Sequence, residues 1–475
     1  MPRHADIFEP LTLKMSDSTK NLQKCKNVAN SLAVPPKPDR AGRKLPVITQ
    51  AGTRLPAGGP AGSQHRKQEG YLMNAADTAF ILISAALVLL MTPGLGLFYG
   101  GMVRSKNVLA TLMHSYVLIG LISIEWAILG YSMAFGSDIG GIVGGLDYLN
   151  LAGMDKPNDL AKTVPHLAFM AFQMMFAVIT PALISGAFAE RVRFSAFLLF
   201  SLIWAICIYN PLAHWVWGGG WLAGLGALDF AGGAVVHMSS GASALAFCLF
   251  LGKRKNYGRE PFIPHNLPMT ILGAGILWFG WFGFNAGSAL SAGDLAASAF
   301  VTTHLAAAAA SLSWIFAEWM HRGKPTTLGL ASGAVAGLVA ITPAAGFVTP
   351  MASIIIGLVG GLVCYLGVNM KHIFKYDDAL DVVGVHGLGG TWGALATGLF
   401  ATKAVNEAGN DGLLYGNPDL LWSQFISVVA TWVFCFVGTL VILYIVNAII
   451  KVRVNEEDEN KGLDVSQHGE TGYQN

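Results

Sequence analysis

The chain is 475 residues long, 53% hydrophobic and only 12% charged, with a formal net charge of +2. Soluble domains carry about 25% charged residues, so a deficit sustained over this length excludes an ordinary soluble protein and assigns most of the chain to lipid or to other apolar helices. The small net charge speaks neither for nor against nucleic acid, and no nucleic-acid partner is expected. Cys25, Cys207, Cys248, Cys364 and Cys435 lie scattered, four of them in apolar runs, which excludes a disulfide framework and a cysteine zinc site; no metal or cofactor is expected.

Taken in chain order, residues 1–72 stand apart. They hold twelve Lys or Arg against five Asp or Glu, several Pro and Gly, and no apolar stretch long enough for a signal-peptide core. This segment reads as a basic, disordered extension. The expectation is that translation starts at Met73 and that the stretch before it is a misassigned start; the alternative is a true cytoplasmic tail, which would change the count of spans. From residue 78 onward, eleven runs reach the roughly 20 apolar residues that a bilayer span needs. They cover about 78–100, 108–135, 165–189, 194–212, 229–252, 266–288, 297–320, 326–346, 351–371, 380–402 and 422–450. The expected fold is therefore an all-α integral membrane domain over 73–450, followed by a tail, 451–475, that its composition makes solvated surface.

Charge orients the spans. Fifteen Lys or Arg follow the odd-numbered spans, among them Arg104, Arg191, Arg254, Lys371 and Arg453, while only Lys156, Lys162 and Lys403 follow the even-numbered ones. Under the positive-inside rule the first span begins outside and the C-terminus lies in the cytoplasm.

Spans 1–5 (about 78–252) and 6–10 (about 266–402) read as two inverted five-helix halves, with span eleven added at the end. Span five opens with Asp229 and has His237 eight residues on; span ten opens with Asp378 and has His386 at the same spacing. Eight residues correspond to about 12 Å of helix, so entry from opposite sides brings both imidazoles near the middle of a core about 30 Å thick. His114 and His304 read as packing residues. Asp381 reads as a helix N-cap, and Asp229 either as an N-cap or as a functional group. Glu125, in the middle of span two, is either a functional carboxylate or a group hydrogen-bonded to a neighbouring helix.

Gly-Leu-Phe-Tyr-Gly-Gly at 96–101, Ala-Glu-Arg at 189–191, Trp217-Gly-Gly-Gly, Asp229-Phe-Ala-Gly-Gly, Gly-Trp-Phe-Gly-Phe-Asn-Ala-Gly-Ser at 280–288 and Gly-Val-His-Gly at 384–387 closely resemble the Amt/Mep/Rh ammonium transporters, nearest to the bacterial Amt branch. The resemblance runs from about residue 74 to the C-terminus. It implies an eleven-span protomer of a homotrimer in the cell (inner) membrane, a transporter or channel for ammonium uptake with a pore through each subunit. By motif, Trp217, Phe172, Phe176 and Ser288 are expected to form the outer recruitment site, Phe176 and Phe284 the gate, and His237 and His386 the pore lining, with Asp229 holding the entrance in shape. Phe172 and Phe176 are four apart, so one helical face can present both rings. The resemblance also implies a PII-type regulatory partner on the cytoplasmic face.

These residue types suit ammonium. An aromatic face attracts a small cation by about 0.5–2 kcal/mol, and a serine hydroxyl accepts from an N–H donor, which potassium lacks. Carrying a bare ion into low dielectric costs tens of kcal/mol in the Born limit; ammonium escapes that cost by giving up its proton. A rival reading is an ammonium sensor with little flux, for which a further signalling domain is expected; the chain ends about 25 residues after its last span. An intramembrane enzyme is disfavoured, since no His-Glu-x-x-His occurs and no nucleophile motif surrounds Ser240 or Ser243.

Overall fold

The computed structural model describes residues 73–473; the extension 1–72 lies outside them. Among the described residues, nine helices are long and apolar enough to cross a membrane: α1 (Ala75–Met102), α2 (Ser105–Phe135), α3 (His166–Phe188), α4 (Phe194–Gly224), α5 (Gly233–Leu251), α6 (Leu267–Gly287), α7 (Asp294–Arg322), α9 (Pro350–Phe374) and α11 (Pro418–Ile449). The two remaining expected runs are α8 (Thr327–Ile341) and α10, a π turn Val383–Leu388 that continues into Gly389–Phe400.

The helix starts are written locally. Asn74 accepts from the Ala76 N–H at 2.8 Å and Asn266 from the Met269 N–H at 3.0 Å. Pro350 and Pro418 open α9 and α11, where their missing N–H is no loss. The run expected at 326–346 is helical only to Ile341, because Pro343 offers no N–H to continue the ladder. The chain then crosses residues 341–348 buried inside the protein, where the Pro343 carbonyl accepts from the Phe230 N–H at 3.1 Å and the Phe347 carbonyl from Thr402 at 2.8 Å. Non-helical backbone at this depth is tolerated only when enclosed in this way.

Helix α1 packs most extensively on α6, and α7 on both α8 and α9. The α1–α6 approach depends on missing side chains: a Cβ at Gly273 would lie 2.3 Å from the Phe98 nitrogen. Helices α5 and α10 cross just as closely, since a Cβ at Gly241 would stand 2.2 Å from the Gly387 Cα. That crossing sits beside His386 and brings the two histidine-bearing π turns together.

Asp381 does not cap α10. It adopts a left-handed φ of 66° and pairs with Lys371, while Asp378 accepts from the Val383 N–H at 2.7 Å. The charge partner on α9 claims Asp381, and Asp378, three residues earlier, is placed to reach the free N–H.

The tail also departs from its composition. Val452, Val454 and Leu463 are buried, Arg193 N–H donates to the Val452 carbonyl at 2.9 Å, and Asp464 accepts from the Leu109 and Ala110 N–H groups at the start of α2. Its apolar residues are too sparse to show as a periodic face, yet they dock on the loops that carry most of the positive charge. Beneath them lies a buried ion cluster. Glu190 meets Arg104 at 2.9 Å and Arg254 at 3.1 Å, and Arg254 meets Asp377 at 2.9 Å. Burial alone would raise both carboxylates, but for Glu190 the Arg104 hydrogen bond and the Arg254 charge reverse this, and for Asp377 the Arg254 hydrogen bond does so; both lie below the ordinary range.

Because both folded values are depressed, the cluster stabilises the fold at neutral pH and loses that contribution only as pH falls below about 4. Arg254→Gln leaves two carboxylates buried without their shared partner and is expected to cost about 3 kcal/mol. The thermal midpoint in detergent at pH 7, followed down to about pH 3, checks both statements: the gap between wild type and variant should narrow once the pH falls below about 4.

Candidate functional site

A line of cavities runs through the helices. The first, about 250 Å³, is lined by Phe169, Gln173, Phe176, Trp217, Phe230 and Ser288 among others. At its floor Phe176 lies over Phe284, with ring centroids 4.2 Å apart, and both rings are buried. Beyond them come two narrow spaces of about 10 and 20 Å³ that share Phe98, Val335 and His386. Each has room for a molecule about the size of water. The second adjoins a mouth of about 620 Å³ lined by Arg254, Tyr257, Lys371 and Asp381.

Each functional side chain is held by the fold. Asp229 precedes α5, and its carboxylate accepts from the N–H groups of Gly232, Gly233 and Ala234 at 2.6–2.8 Å and of Val235 at 3.4 Å, which are the donors a helix start leaves open. Its carbonyl takes the Trp217 indole N–H at 2.9 Å. Asp229 therefore fixes both the start of the His237 turn and the edge of the first cavity. Ser288 donates its hydroxyl hydrogen to the Phe284 carbonyl at 2.8 Å, which leaves its lone pairs to accept.

His237 and His386 meet through their Nδ1 atoms at 3.3 Å, with rings 29° from parallel. His237 Nε2 is buried and has no protein partner. Two facing Nδ1 atoms need one donor and one acceptor, so one neutral imidazole carries its hydrogen on Nδ1 and the other on Nε2. Whichever way round, the pair presents one acceptor Nε2 and one donor Nε2.

Most of the residues singled out in the sequence come together here. Trp217, Phe176 and Ser288 line the first cavity, Phe284 and His237 the next, and His386 the two narrow spaces. Phe172 does not reach the cavity. It is fully buried behind Phe176, centroids 5.0 Å apart, because the face that α3 turns to the cavity is Phe169, Gln173 and Phe176. That i, i+4, i+7 spacing was available in the sequence and would have found Gln173. Trp281, three residues before Phe284 on the same helix face, stacks on His237 at 5.4 Å. His114 packs among Phe188, Phe194 and Phe197. His304, on the exposed side of α7, stands beside Trp278 and Phe282. Glu125 lies away from these cavities and accepts from Asn210 Nδ2 on α4 at 2.8 Å, the neighbour-helix alternative. Among the described residues no group of three or more His, Cys, Asp or Glu is placed to hold a metal ion.

Comparison with known proteins adds a family. The family model described as the Ammonium Transporter Family matches residues 79–473. A relative from Bacillus subtilis (strain 168) named ammonium transporter is 57% identical over 404 residues, covering 85% of this chain and 99% of its own length. The crystal structure of Candida albicans Mep2 superposes with a TM-score of 0.77 at 37% identity, covering 81% of this chain and 88% of that one. A solved protein named as a sensor Amt protein also gives 0.77, at 29% identity, covering 83% and 98%.

Asp229→Ala removes the acceptor of the N–H groups that open α5. The loss is expected to be about 2 kcal/mol or more, with Asp229→Asn costing less because one oxygen is kept. Thermal unfolding of the two purified variants tests this; equal midpoints for Asp229→Ala and wild type would remove Asp229 from its capping role.

Proposed function

The chain belongs to the ammonium transporter family, and from that premise we propose that it recruits ammonium at the aromatic mouth, separates it from its proton near Phe176 and Phe284, and conducts ammonia past His237 and His386, the detached proton crossing separately to rejoin ammonia on the cytoplasmic side. In this reading the membrane domain has eleven spans in two inverted halves plus α11, with the aromatic mouth outside and the tail in the cytoplasm. The positive-inside charge count supports that orientation, and the matched turns at His237 and His386, each following a capping aspartate, support the repeat. The reading further includes a homotrimer in the cell inner membrane, a PII-type partner on the cytoplasmic face, and no covalent chemistry or cofactor.

The contact between His237 and His386 at the narrowest part of an apolar path carries the reading. A sodium or potassium ion entering a space about the size of one water would shed its hydration and find only two neutral rings in exchange, at a cost of tens of kcal/mol in the Born limit. Ammonia enters uncharged, with one lone pair to accept and three N–H groups to donate, which matches the one donor and one acceptor Nε2 of the pair. In the outer cavity the charged form is favoured instead. Phe176 and Trp217 offer ring faces, and the Ser288 oxygen, its hydrogen already given to Phe284, accepts an N–H.

A sensor with little flux can share this fold, and measurement of flux decides between the two. Protein in proteoliposomes on a solid-supported membrane is expected to give a current on an ammonium jump and none on an equal potassium jump. His237→Ala should reduce it, and His237→Asp, which places a charge-bearing group in the path, should let potassium through. An ammonium current that His237→Ala leaves unchanged would sink the pore assignment. Silence to ammonium together with a shift of an internal pH dye would mean electroneutral ammonia conduction; silence in both would favour the sensor.

A further inference from the structure

Between the aromatic gate and the histidine pair stands Trp281, so far only a wall. Its indole N–H donates to Thr342 Oγ1 at 2.9 Å, and that hydroxyl donates in turn to the Leu338 carbonyl at 2.7 Å. Both side chains are buried, and Thr342 sits where α8 stops, outside the lining of the cavities described. The indole face stacks on His237, with centroids 5.4 Å apart and planes 23° from parallel, and it also meets Phe284 at 5.5 Å. On the His237 backbone side α10 is just as close, since a Cβ at Gly390 would come within 3.1 Å of the His237 Cβ.

An imidazole has a broad, weakly determined second torsion, so its plane is set by what packs on it. Here that is Trp281, and the edge of Trp281 is held by Thr342. We infer that Thr342 is a positioning residue for ammonia transfer: acting through Trp281, it sets the plane of His237 and so the direction in which the unpartnered Nε2 points. The inference rests on the function proposed above.

The test is a double-mutant cycle with a conservative control. Thr342→Val keeps the shape and removes the acceptor, Thr342→Ser keeps the acceptor, and Trp281→Phe removes the donor. Ammonium current should fall about fivefold or more in Thr342→Val, the scale of effect that slight misplacement of a reacting group produces. It should stay near wild type in Thr342→Ser, and Thr342→Val should add nothing in the Trp281→Phe background. Wild-type current in Thr342→Val, multiplying effects in the double variant, or equal damage from serine and valine would each overturn the inference. A second readout does not depend on transport. Solid-state ¹⁵N NMR of histidine-labelled protein in bilayers, with the His237 signals identified by their loss in His237→Asn, should show them shifted or broadened in Thr342→Val and not in Thr342→Ser. Unchanged His237 signals in Thr342→Val overturn the inference. Wild-type vesicles silent to ammonium would count against the transport reading alone and leave the NMR comparison to decide this one.

Discussion

In hydrocarbon a backbone N–H or carbonyl without a partner costs several kcal/mol, so a spanning chain can leave the helix only where other protein encloses it. This protein leaves the helix before α5, before α10 and after α8, and each break is answered from within. The Asp229 carboxylate takes the N–H groups that open α5, Asp378 takes that of Val383, and the carbonyls of Pro343 and Phe347 are met by Phe230 and Thr402. The breaks also lie where the chemistry lies. Two of them lead into the turns that carry His237 and His386, and the third ends α8 at the hydroxyl that holds Trp281.

The route so built changes character along its length. Its aromatic mouth combines ring faces with a serine acceptor, which suits a cation that still has its charge and its N–H groups. In the first narrow space past Phe176 and Phe284 the walls are almost wholly apolar apart from two imidazoles bonded to each other, and the space shrinks to the size of one small molecule. That space discriminates by what it withholds: its lining offers no carboxylate and no room for a hydration shell. The opposite mouth is wide again and bears Arg254, Lys371 and Asp381.

The charged loops at that mouth are more ordered than their composition suggests. Glu190, Arg104, Arg254 and Asp377 form a buried cluster, and the tail closes over it through Val452, Val454 and the capping carboxylate of Asp464. Ends of α1, α3 and α5 are thereby tied to one another at the side where the route is widest, while the narrow part is held by the glycine contacts of α1 with α6 and of α5 with α10.

The apolar runs, their lengths, the loop charges and the paired Asp-to-His spacing are properties of neighbouring residues, and all were legible in the chain. So were the motifs that carry the family likeness. What the sequence left open were matters of facing. Phe172 and Phe176 share a helix, but whether α3 turns 172 or 169 and 173 to the cavity depends on how it packs against α1 and α2. Asp381 looked like a cap until Lys371, on another helix, claimed it. The run at 326–346 is apolar throughout, and hydropathy cannot tell a helix from a buried loop when both are enclosed. The sequence by itself determined the membrane class, the likeness and the two histidines. Only the tertiary structure decided that those histidines touch and that Trp281 and Thr342 stand behind them, because a contact between spans far apart in the chain is set by where glycines let helices cross.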